Sequence, residues 1–96
     1  MTSRDDERNV LARCAAASRG DITVAFDQRE ANVFRLAAMV LQSRLPVESV
    51  RLMHASEQYF RLYPTDKVSS ADVVRKGWVS GLPRLRDMLT MQLRPH

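Results

Sequence analysis

The sequence predicts a mainly α fold, a small domain of four to five helices, and three observations carry that expectation. Apolar side chains recur at helical spacing through most of the 96 residues, helix-start signals stand before several of those stretches, and only one segment alternates at the period of a strand. At this length the chain, 1–96, is one regulatory-sized domain, near the lower end of what a single core holds folded. Hydrophobic residues make up 45% of it and charged residues 27%, close to globular averages, which argues against wholesale disorder.

The first helix is expected from Asp5 to Arg19. Val10, Leu11, Cys14 and Ala15 share one face, Asp5, Asp6 and Glu7 suit the positive end of a helix, and Gly20 supplies a stop. Asp21 to Asp27 follows as the one strand signal, with Ile22, Val24 and Phe26 alternating with Thr23 and Ala25. A lone strand leaves its backbone groups unpaired, so this segment is expected to pair across a homodimer, with Ile22, Val24 and Phe26 as dimerisation residues. Asp27-Gln28-Arg29-Glu30 has capping-box spacing and opens a second helix to about Arg44, whose wide stripe (Val33, Leu36, Ala37, Val40, Leu41) marks the central core helix.

Pro46 suits a first helical turn, and a third helix is expected from about Val47 to Leu62. Val50, Met53 and Phe60 form one apolar row on it, Leu52, Ala55, Tyr59 and Leu62 another, and Arg51, His54, Gln58 and Arg61 a polar face. A loop over 65–69 leads into a start signal at Ser69-Ser70-Ala71-Asp72 and a short helix before Gly77. The last helix is expected from about Leu82 to Leu93, with Leu82, Leu85, Leu89 and Leu93 in one row and Met88 and Met91 beside it. No repeat or internal domain boundary interrupts the chain.

Charge and composition exclude several function classes. Residues 1–48 balance seven Arg against seven acidic residues, so the whole net charge of +4 lies in 49–96, spread without a basic tract. No apolar run approaches the roughly 20 residues of a membrane span and the N-terminus lacks a signal-peptide core, so the chain reads as soluble and cytoplasmic. The lone Cys14 permits no intrachain disulfide, and with two distant histidines it makes no metal-ligand pattern. Cys14 and His54 are the only nucleophile–base pair on offer, and an Ala-rich helix around Cys14 reads as burial. No phosphate-cradling glycine loop or nucleophile elbow occurs. The chain is expected to be no enzyme and to need no cofactor or metal.

Two binding classes remain. A DNA-binding regulator would read strand–helix–helix as a ribbon–helix–helix unit, or use the third helix in a helix-turn-helix, with Arg51, His54, Gln58 and Arg61 making contacts. Asp21 and Asp27 on the outward strand positions would oppose phosphates, which counts against the first form. A protein-binding module is favoured, with Trp78 as an aromatic anchor, Leu82, Leu85, Met88 and Leu89 as the apolar surface, and Arg84 and Arg86 at its rim.

The acidic–basic start Met1-Thr2-Ser3-Arg4-Asp5-Asp6-Glu7-Arg8, the helical centre Glu30 to Leu62 and the Leu/Met-rich end resemble the small proteobacterial quorum-sensing antiactivators that act on LuxR-type regulators such as LasR. The resemblance implies a homodimer that binds the regulator's ligand-binding domain and blocks its dimerisation, and so its attachment to DNA. On this reading Leu85→Glu with Leu89→Glu is expected to abolish partner binding while leaving the helical core folded.

Overall fold

The computed structural model describes residues 3–94, with side chains described from Asp6 onward. Five helices follow in chain order: α1 (Ser3–Ser18), α2 (Gln28–Leu41), α3 (Pro46–Leu62), α4 (Ser70–Arg75) and α5 (Leu82–Leu93), with a 3₁₀ turn at Pro64–Asp66 after α3. The mainly α expectation holds, and α5 spans the residues expected of it.

α2 is the centre of the domain because its apolar residues occupy nearly its whole circumference. Ala31, Val33, Phe34, Leu36, Ala37, Ala38 and Leu41 are all buried, and α1, α3, α4 and α5 pack around them. Asp27 caps this helix, accepting from the Glu30 N–H at 2.8 Å. The returning half of the box is displaced by one residue: the Glu30 carboxylate accepts from the Phe26 N–H at 2.6 Å. The same carboxylate, only 7% exposed, also receives both arms of Arg13 from α1, at 2.5 and 2.8 Å. A local capping signal thus becomes the clamp that holds α1 and the connecting segment to α2.

α1 and α4 both end in Schellman turns, in which a residue of positive φ lets two N–H groups return to the last carbonyls. At Gly20 (φ 86°) the Gly20 N–H donates to Ala17 and the Asp21 N–H to Ala16; at Gly77 (φ 76°) the donors are Gly77 and Trp78, to Val74 and Val73. α2 stops at Leu41, three residues before the expected Arg44. Pro46 disfavours helical geometry at Leu45, which sits at φ −135°, ψ 71°, while the Arg44 and Leu45 N–H groups both fold back onto the Leu41 carbonyl. Ser49 then donates to the Ala38 carbonyl at 2.5 Å, binding α3 to α2 where small residues let the backbones approach.

The expected strand at 21–27 is corrected: among the described residues no strand forms. The segment touches α3 through one backbone bond, from the Ala25 N–H to the Ala55 carbonyl at 3.1 Å. The alternation is also inverted, since Ala25 is buried while Val24 and Phe26 are 47% and 79% exposed. Ala25 faces inward because it lies against another alanine on α3, and the Glu30 clamp holds the Phe26 backbone with its ring outside.

Asn32, fully buried on α2, pins the loop that follows α3. Its amide nitrogen donates to the carbonyls of Gln28 and Asp66, and its oxygen accepts from the Val68 N–H at 3.0 Å. Asn32→Ala strands those loop groups, and a loss of about 2 kcal/mol is expected. Urea unfolding measures the loss, and faster hydrogen exchange at the Val68 amide locates it.

Candidate protein-docking face

α3 carries more apolar residues than one face can bury, and the surplus faces outward. Leu52, Ala55 and Phe60 enter the core, whereas Val47 and Val50 remain 57% and 53% exposed. Residues 47, 50, 51, 54, 58 and 61 follow helical spacing, so one ridge runs from an apolar N-terminal half through Arg51, His54 and Gln58 to Arg61.

Depressions flank this ridge on both sides. Towards α2 lies a groove of about 290 Å³ formed by Ala38, Met39, Gln42, Pro46, Ser49, Val50 and Met53, and Met39 is 52% exposed at its edge. It continues into a shallow, almost wholly apolar depression at Pro46, Val47 and Val50. Towards α1 lies a cleft of about 280 Å³ lined by Ala17, Gly20, Ile22, Thr23, Arg51, His54 and Gln58. Arg51 donates to the Ser18 carbonyl at 3.1 Å, which satisfies an end group of α1 and suits a cation beside a helix C-terminus.

The residues expected to bind a partner do not form a surface. Leu85 and Leu89 are corrected to core, at 1% and 0% exposure, because α5 turns them onto α1 and α2. Leu82, Met88 and Trp78 are half-buried against the same core. The Lys76 ammonium stands 5.5 Å above the Trp78 ring centre, and Arg84 and Arg86 lie 3.7 Å and 3.2 Å from Glu7 and Asp87. Of the proposed dimerisation residues, Val24 and Phe26 are exposed and Ile22 lies in the α1-side cleft.

Sequence reasoning had assigned Val50 and Met53 to a core row and Met39 to the core stripe of α2, and had not singled out Val47. The signal available was the count of apolar rows on α3, which exceeds what a helix on the outside of a small bundle buries.

Nothing in the arrangement activates a nucleophile. Cys14 is fully buried and that burial pushes its thiol well above the ordinary range, while His54 lies on the exposed face of α3. Thiol reagents are therefore expected to modify Cys14 only as fast as the protein unfolds, which labelling with and without urea checks. Among the described residues no three metal-ligating side chains cluster, and no helix is long and apolar enough to cross a membrane.

Behind the ridge, Tyr59 donates to Asp66 at 2.7 Å, and this bond, reinforced by burial and by the carboxylate charge, moves the phenol up to about 12. The unfolded chain, with tyrosine near 10, then loses this proton first. The contribution is whole below pH 10 and is lost as pH rises from about 10 to about 12. Tyr59→Phe should flatten that alkaline decline and remove the most alkaline step in tyrosinate absorbance.

Comparison of the chain with protein-family models, with curated proteins and with solved structures found no match.

Proposed function

We propose that this chain is a non-enzymatic regulatory protein that binds a transcription regulator and blocks its dimerisation or its attachment to DNA, in the manner of a quorum-sensing antiactivator. The observation that carries the reading is the apolar half of the α3 ridge. Met39, Val47 and Val50 leave about half of each side chain in water, beside a formed groove, in a domain whose other large aliphatic residues are mostly inside. Contiguous exposed apolar surface of this kind marks protein contacts, and methionines at its edge adapt to a partner's shape. Blocking an apolar dimer interface needs such a surface and no reactive group.

The test is inhibition of DNA binding by a purified LuxR-type regulator. Wild-type protein is expected to lower the regulator's occupancy of its operator, and Val47→Glu with Val50→Glu to abolish that effect with an unchanged circular dichroism spectrum. Unimpaired inhibition by the double variant would remove this face from the mechanism, and no inhibition by wild type would remove the antiactivator reading.

One observation keeps a direct DNA-binding reading in view: Arg51, His54 and Gln58 line a single cleft. Salt-dependent binding of the wild-type chain to duplex DNA, lost in Arg51→Glu with Arg61→Glu, would favour it. Those substitutions should leave an apolar protein contact largely intact.

A further inference from the structure

The charges around the apolar half of α3 are arranged as a second copy of the same face requires. Arg44 sits in the turn just before α3 and Glu57 lies seven residues beyond Val50 on the same row of the helix. Both side chains are exposed, and neither forms an ion pair among the described residues. At about 1.5 Å per residue, Glu57 stands about 10 Å to one side of Val50 and Arg44 about 9 Å to the other. A two-fold axis through Val50, perpendicular to α3, therefore brings Arg44 of each copy opposite Glu57 of the other.

We propose that the chain forms an isologous dimer in which α3 packs antiparallel against α3 of a second copy. Met39, Val47 and Val50 form the apolar centre, and two symmetric Arg44–Glu57 pairs close its ends. The two-fold turns a single complementarity into two, which favours a second copy over an unrelated chain as the occupant. A parallel arrangement would place Arg44 against Arg44 and Glu57 against Glu57, so the same charges also select the direction. Arg51 does not oppose this packing, because its guanidinium is drawn aside to the Ser18 carbonyl and its aliphatic stem covers the apolar centre. The inference rests on the reading of this face as a protein-docking surface and adds that the chain itself occupies it when no regulator is bound. Dimer and regulator complex would then be mutually exclusive.

Sedimentation velocity on the full-length chain across a concentration series tests this. Wild type is expected to reach twice the 11.0 kDa chain mass, and Val50→Glu to stay monomeric with an unchanged thermal melt. Arg44→Glu and Glu57→Arg should each weaken the dimer about tenfold, since each replaces two attractions by two repulsions. The double charge swap should restore it. A wild-type monomer at every concentration, a dimer indifferent to Val50→Glu, or a charge swap without rescue would each overturn the proposal. A monomer that still inhibits the regulator overturns the dimer alone, whereas a dimer of this kind that never inhibits supports the dimer and overturns the functional reading.

Discussion

Leu85→Glu together with Leu89→Glu is expected to unfold the protein and not merely to silence a surface. Both side chains are essentially inaccessible to water and lie where α5 meets α1 and α2. Truncating one such leucine to alanine costs about 2–5 kcal/mol through lost transfer energy and the cavity left behind. Glutamate adds the burden of placing a charge, or a neutralised carboxyl without partners, in the same space. Two such changes exceed the whole stability of an average domain, about 5–15 kcal/mol, at its lower end and most of it at its upper end. Far-ultraviolet circular dichroism should show the helical signal collapsing in the double variant, and Leu89→Ala alone should lower the urea midpoint strongly. A cooperative, wild-type-like melt for the double variant would contradict the placement of α5.

The second large effect is expected at Glu30. Its carboxylate, almost wholly buried, accepts from Arg13 twice and from the Phe26 N–H, so one side chain joins α1, the connecting segment and the first turn of α2. Arg13 is held more firmly in its charged form by that hydrogen bond, the largest influence on it. Removal of one partner from a fully buried pair costs about 3–5 kcal/mol, but Arg13 is 41% exposed and regains water when released. Glu30→Ala is therefore expected to cost about 2–3 kcal/mol, of which the unpaired Phe26 amide is one part. Glu30→Gln should cost less, because its oxygen still accepts from the Phe26 N–H. Equilibrium urea unfolding orders the variants, and hydrogen exchange at the Phe26 amide should quicken first. Equal stability of Glu30→Ala and wild type would show that the clamp contributes nothing.

How far the fold was legible depends on the range of the signals. Asp27, Ser69, Pro46 and the Leu82-to-Leu93 row act within a few residues of themselves, and each places an element end where the structure has it. The alternation of Ile22, Val24 and Phe26 is equally local but failed, because strand formation needs a partner backbone and this segment meets only Ala55 of α3. The candidate site failed in the opposite sense. The leucines of α5 and the valines of α3 have the same periodic spacing, yet Leu89 is buried and Val50 is half in water. Periodicity reports that a helix has an apolar face and leaves open what covers it.

The sequence by itself determined the helical class, the helix starts and stops, the central place of α2, and the want of any motif that would make a nucleophile of Cys14. These follow from capping groups, proline, glycine and side-chain spacing, whose effects are decided within a turn or two of chain. Only the tertiary structure decided which apolar rows become core, that Glu30 would clamp Arg13 from 17 residues away, and that the surplus surface lies on α3. The physical reason is that burial belongs to pairs of faces: α5 found α1 and α2 to cover its leucines, and the outer side of α3 found none within the chain.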